Sequence, residues 1–311
     1  MFEPSLSGDQ TMTDRLRRAG LALAIALAAG STGAEEVTLS YRGLTLNGNL
    51  ETAGTRWQQG PVVLMTHGTL AHGGMEIMQT LQSALQERGI SSLSMTLSLG
   101  LDNRSGMYDC AVPHTHRHTD AVGEIDAWLG WLQSQGVEEV ALLGHSRGGN
   151  QSARFAAEHP DAPVSAVILV APQTWSEAAA VQDYDKRFSK ALEPQLERAR
   201  VLDTEGRGAE MLAPVDFIYC AETSATAAAF LSYYSPDPRM DTPSLIPEIK
   251  APILVVAGSE DDVVEGLVEA VQPLADGERV NLTVLDGADH FFRDLYAEEI
   301  ADDVQTLLED E

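Results

Sequence analysis

Lysine is almost missing from this sequence. The 20 basic residues include only Lys186, Lys190 and Lys250 as lysines, and they face 47 acidic residues, for a formal net charge of −27. A chain so acidic repels phosphate backbones and anionic lipid headgroups, so nucleic-acid binding is disfavoured. The surplus acid suits either a protein adapted to brine or an ordinary soluble acidic protein, because net charge speaks to solubility and not to fold. Cysteine is equally scarce. Cys110 and Cys220 are the whole supply, and no Cys-x-x-Cys spacing exists to build a thiolate metal site. In an oxidising compartment the two can close a disulfide if their Cα atoms come within about 7 Å; otherwise they stand as buried thiols. Long apolar runs are absent too. The stretch from Leu21 to Ala29 falls short of the roughly 20 residues that span a bilayer, so no stable membrane span is expected. There is no internal repeat and no other low-complexity tract.

What is present begins with an export-like N-terminus. Arg15, Arg17 and Arg18 precede the short Leu/Ala run, and Thr32-Gly33-Ala34 offers small residues for cleavage. This is the layout of a signal peptide over residues 1–34, with translation starting at Met1 or Met12. The expected mature chain starts near Glu35 and is periplasmic or secreted. It keeps the charge of −27, because the removed segment holds three acids and three arginines.

The rest reads as alternating strands and helices. Val37–Tyr41 and Leu44–Gly48 alternate with period two around Arg42-Gly43, an opening hairpin. Continuous apolar runs at Pro61–Met65, Val164–Val170 and Ala251–Ala257 suit strands buried on both faces, and further strands are expected at Ser91–Leu97, Val137–Leu143 and Val280–Leu285. Between them lie helical patterns at 75–88, with Met78, Leu81 and Leu85 on one face and Gly89 as the stop, and at 120–135, with Ile125, Trp128 and Leu132. Further helices are expected from Ser146 to Glu158 and from Phe291 to Leu308. Strands alternating with helices predict an α/β fold with a mainly parallel sheet. From about 175 to 247 no clear strand is visible, and this stretch reads as a helical insertion covering the sheet.

The chemistry-bearing residues sit where strands end. Gly144-His145-Ser146-Arg147-Gly148 joins a buried strand to a helix. A sharp strand-to-helix turn strains the serine backbone and needs small neighbours, which Gly144 and Gly148 supply. A serine hydroxyl needs a base to take its proton, and His290, after the final strand, is the candidate. A carboxylate that orients this histidine should follow the preceding strand, where Glu260, Asp261 and Asp262 stand. An oxyanion needs backbone N–H donors: Arg147, next to the serine, and a residue of the loop after His67-Gly68, Thr69 ahead of Leu70. His67 itself reads as structural, and His72-Gly73-Gly74 as a wall of the same loop.

With these motifs in place the chain resembles the α/β-hydrolase superfamily over about residues 37–308. The resemblance implies an eight-stranded, mostly parallel sheet with helices on both faces and a cap between the sixth and seventh strands. It selects Asp261, through Gly258-x-x-Asp261, as the acid of a Ser146–Asp261–His290 triad. A serine at the turn argues against the dehalogenases and epoxide hydrolases of that superfamily, which carry Asp there. The expected activity is ester hydrolysis through an acyl-enzyme, on a small-molecule ester and with no cofactor. A serine peptidase acting on short peptides, a thioesterase, a lipase and a non-catalytic secreted binding protein are the alternatives. His114, His116 and His118 alternate along one segment, but nothing nearby completes a ligand set, so no metal is expected. Cys110 and Cys220 would tie the cap to the loop bearing these histidines. Phe230, Tyr233 and Tyr234 either line a pocket or pack the cap.

Overall fold

The computed structural model describes residues 34–309. The expected signal peptide lies, but for its last residue, outside them. Ten strands occur among the described residues: β1 (Glu35–Tyr41), β2 (Leu44–Glu51), β3 (Val62–Thr66), β4 (Ser91–Thr96), β5 (Val140–His145), β6 (Val164–Val170), β7 (Met211–Phe217), β8 (Cys220–Thr226), β9 (Ile253–Gly258) and β10 (Val280–Leu285). The helices are α1 (Glu76–Glu87), α2 (Asp120–Ser134), α3 (Arg147–Glu158), α4 (Glu177–Phe188), α5 (Glu193–Thr204), α6 (Ala227–Tyr234), the short α7 (Thr242–Leu245) and α8 (Leu267–Val271), and α9 (Tyr296–Glu309).

Eight strands form one sheet in the order β1-β2-β4-β3-β5-β6-β9-β10. β2 runs antiparallel to β1 and β4, and the remaining neighbours are parallel. Alternation along the central strands sends side chains to two cores. Val63, Met65, Leu143 and Ile168 pack under α1 and α9, while Leu64, Leu142 and Leu169 face α2, α3 and the cap. With both faces covered, β3, β4 and β5 are buried along their whole length, which is why β3 and β5 carry apolar residues on both faces, while β4 buries serines between its Leu93 and Met95.

Two expectations need correction. The insertion between β6 and β9 is not purely helical: β7 and β8 form a separate antiparallel hairpin between α5 and α6. Its strands are poorly marked because Pro214 interrupts one, at a register irregularity, and the other is built of small and polar residues, Cys-Ala-Glu-Thr-Ser-Ala-Thr. The closing helix starts at Tyr296, not Phe291. Phe292 and Asp294 take positive φ of 46° and 62°, which interrupts helical backbone between them and Tyr296.

Candidate active site

The C-terminal ends of β3, β5, β9 and β10 bring the site together. Ser146 follows β5 with φ 56° and ψ −123°, a backbone that L-residues avoid unless the surroundings enforce it. They do so through hydrogen bonds on both sides of the turn. The Ser146 amide donates to Val170 O (3.0 Å), and its carbonyl accepts from Gly149 (2.9 Å) and Gln173 (3.0 Å). A Cβ at Gly148 would collide with the Thr66 and His67 carbonyls, and one at Gly144 with the Gly148 carbonyl. Both positions are therefore closed to any other residue without backbone movement.

His290 and Asp261 meet at the neighbouring strand ends. His290 Nδ1 lies 2.8 Å from Asp261 Oδ2, and both side chains are buried. Asp261 Oδ1 accepts from the amides of Val263 (2.8 Å) and Val264 (2.9 Å). Burial pushes the Asp261 carboxyl up, but its bonds from His290 and these amides outweigh that, and it is held below the ordinary carboxylate value. Glu260 and Asp262 are exposed; neither bonds His290. One partner of His290 was not singled out beforehand. His145 Nε2 lies 2.9 Å from the His290 carbonyl, and burial, then His290, pushes this ring down to about 4. At neutral pH it is an uncharged donor that fixes the backbone of His290. Its place beside Ser146 in the motif was the only signal in the sequence.

The loop after β3 is fixed by His67 and Arg104. The His67 ring meets Gly68 O through Nδ1 (2.8 Å), and its Nε2 accepts from the Leu97 amide (3.0 Å) and Arg104 Nη2 (3.2 Å). Burial, then Arg104, lowers His67 to about 3, so it is neutral and both ring nitrogens are spent on structure. Arg104 also donates to the carbonyls of Leu97, Gly106 and Ala71, a role invisible in a long polar loop. Gly68 lets the loop approach the serine closely, since a Cβ there would lie 3.2 Å from Ser146 Cβ. Thr69 Oγ1 accepts from Arg147 Nε at 3.0 Å, which joins the two residues expected to hold an oxyanion. Among the described residues neither the Thr69 nor the Arg147 amide is engaged in a hydrogen bond outside the helix. Leu70, the other choice, is buried away from both clefts described next. Gly73 bonds β4 through Thr96 and Ser94, and His72, Gly73 and Gly74 do not line them either.

Ser146 and Thr69 line both clefts. One, of about 220 Å³, runs between the sheet end and His290 and is lined by Met75, Met78, Met107 and Phe291. The other, of about 150 Å³, lies under the cap beside Arg147, Trp175, Arg187, Tyr233 and Tyr234. Phe230 lines neither; it is buried in an aromatic cluster with Tyr184, Phe217 and Tyr234.

The cap is attached to the loop after β4 at several points. Cys110 and Cys220 form a disulfide, with Cα atoms 5.3 Å apart. His114 pairs with the outer edge of β8, donating to Ser224 O (2.8 Å) and accepting from Thr226 (2.9 Å). His116 joins His114 (3.2 Å) to the Tyr233 hydroxyl (2.8 Å), and Tyr233 lies under the Arg147 guanidinium at 5.1 Å. The three histidines are fully buried. Burial lowers His114 to about 4 and His116 to about 3, and carries His118 well below its ordinary value. Among the described residues no group of histidine, cysteine or acidic side chains is arranged to hold a metal ion, and no helix is long and apolar enough to cross a membrane.

Comparison with known proteins agrees with this architecture. A family model described as alpha/beta hydrolase family matches residues 62–303. No curated protein sequence matches the chain. Among solved structures it is similar to Est1E from Butyrivibrio proteoclasticus with ferulic acid bound (18% identity, TM-score 0.63, covering 88% of this chain and 98% of that one). An esterase of Pyrococcus furiosus (17%, TM-score 0.57, 90% and 92%) and a thioesterase domain from the curacin biosynthetic pathway (17%, TM-score 0.57, 89% and 99%) are similar to the same extent. At such identities the likeness is one of fold.

Proposed function

The chain belongs to the alpha/beta hydrolase family, and we propose that it hydrolyses carboxylic esters of small molecules with Ser146 as nucleophile. The observation that carries this reading is the Asp261–His290 hydrogen bond beside a serine held at φ 56°, with Ser146 and His290 lining one cleft. Asp261 takes the Nδ1 proton side of His290 and leaves Nε2 for the serine. Ser146 Oγ attacks the ester carbonyl as His290 accepts its proton. The oxyanion is received by the Arg147 and Thr69 amides, at the positive end of α3. His290 then returns the proton to the departing alcohol, and a water activated by the same histidine hydrolyses the acyl-enzyme. We also propose, from the export-like N-terminus, that the working enzyme lies in the periplasm or outside the cell; the Cys110–Cys220 disulfide supports this, since such bonds persist in oxidising compartments.

The test is a p-nitrophenyl ester series from acetyl to palmitoyl, assayed with the mature chain and with Ser146→Ala. Turnover by the wild type should fall roughly 10⁴- to 10⁶-fold in the variant, and the preferred chain length sizes the acyl cleft. Activity unchanged in Ser146→Ala overturns the nucleophile assignment; hydrolysis of free-amine peptides in place of esters replaces this reading by a peptidase.

A further inference from the structure

With 47 acids to 20 bases, carboxylates are plentiful around the arginines of this protein. Arg88, Arg154, Arg200, Arg207, Arg239 and Arg293 all form ion pairs. The two arginines of the cap-side cleft do not, among the described residues. Arg147 uses Nε on Thr69 and lays its guanidinium over Tyr233, yet Nη1 is buried with no hydrogen-bond partner among the described residues. A buried charged donor left unpaired costs free energy. Arg187, exposed on α4, lies 4.3 Å over the Tyr219 ring, and an aromatic face leaves the edge N–H donors of a guanidinium unused. Both line the same 150 Å³ cleft as Ser146. Both also act on the Tyr234 hydroxyl there: burial pushes it up to about 12, and the two guanidiniums pull the other way. Asp183, exposed on the same wall, is the carboxylate of this cleft, one acid against two guanidiniums.

The position of His290 decides which half of an ester meets them. In the ester-hydrolysis reading, on which this inference rests, His290 protonates the leaving oxygen, so the alcohol must lie on its side. His290 lines the methionine-rich cleft and not the arginine cleft. The alcohol therefore belongs among Met75, Met78, Met107 and Phe291, and the acyl group under the cap.

We propose that the acyl half of the substrate ends in a carboxylate, held between Arg147 and Arg187, while the alcohol half is apolar. The planar edges of the guanidiniums fit the two oxygens of a carboxylate. The substrate class is then the monoester of a dicarboxylic acid.

The experiment compares mono-p-nitrophenyl adipate with its methyl-capped, uncharged counterpart, following p-nitrophenolate release by the wild type and by Arg187→Gln. The wild type should prefer the free acid by about tenfold in kcat/KM, most of it in KM. Added salt should shrink the preference, because an exposed guanidinium is screened over a Debye length of about 10 Å at 0.1 M. Arg187→Gln should lose most of the preference, its kcat/KM falling far more on the free acid than on the capped ester. Equal rates on both esters, or a preference untouched by Arg187→Gln, overturn the carboxylate assignment and leave ester hydrolysis standing. Turnover of neither ester removes the ester reading, and this inference falls with it.

Discussion

The sheet and the cap meet at Ser146 but are held by different kinds of force. On the sheet side, the strand ends that carry Ser146, Asp261 and His290 are fixed by parallel ladders and two continuous apolar cores. On the cap side, a two-stranded hairpin is too small to stand alone. It packs Leu212, Val215, Phe217 and Ala225 into the core on that face, and it is tied to the loop after β4 by a disulfide, a lone ladder contact and a chain of buried polar rings running from His114 through His116 to Tyr233. The comparison teaches a division of labour. The proposed reacting groups sit on backbone that the core dictates, and the proposed acyl walls sit on a cap that adds long-range ties to its share of that core.

The sharpest way to test that division is to remove one catalytic contact without touching the fold. Asp261→Asn keeps the shape and the hydrogen-bonding reach of the side chain but loses the charge that holds His290. Activity on p-nitrophenyl butyrate should drop about 10⁴-fold with little change in melting temperature. A loss below tenfold would remove Asp261 from the triad.

The complementary break is on the cap. The double variant Cys110→Ala, Cys220→Ala opens a tie across a sequence separation of 110 residues, and stability should fall by about 2–4 kcal/mol in a urea melt. KM should rise more than kcat falls, because the sheet-borne groups stay in place. A variant that melts with the wild type would show that the histidine chain alone suffices to hold the cap.

A finer test uses acid. His114, His116 and His118 are held neutral by burial, with His114 lowered to about 4 and His116 to about 3. In the unfolded chain they titrate near about 6.5. Below that pH the unfolded chain binds more protons than the folded one, so stability is full above it and falls as the pH drops toward 4. His67 and His145 contribute the same sign on the sheet side. His118 separates the regions, because neither of its ring nitrogens has a partner among the described residues. One of them carries an unpaired proton. His118→Leu should therefore be neutral or stabilising, by up to about 1 kcal/mol at pH 7, and should flatten the loss of melting temperature between pH 6.5 and 4. A destabilised variant with an unchanged acid profile would assign His118 a bond that the described residues do not supply.

The same division explains what could be read in advance. Strands covered on both faces write themselves as apolar runs, and the tight turn at Ser146 demands glycine at positions that a Cβ would block. His290 follows from its place after the final strand, whereas the preceding strand end offered Glu260, Asp261 and Asp262 alike, and only the family resemblance picked out Asp261. The β7–β8 hairpin could not be read, because Pro214 and a run of small residues carry no strand pattern; what makes them a hairpin is their pairing with each other and the packing of Leu212, Val215 and Phe217 into the core. Arg104 looks like any loop arginine until Leu97, Gly106, Ala71 and His67 surround it. Such roles belong to contacts distant in sequence, and local pattern does not record them.

The disulfide at Cys110 has a consequence for movement. The polypeptide anchors the cap where it leaves β6 and where it re-enters β9, and the bridge adds a third anchor, to the loop after β4. While that bond is closed the cap cannot lift away from this loop; reduction would free it.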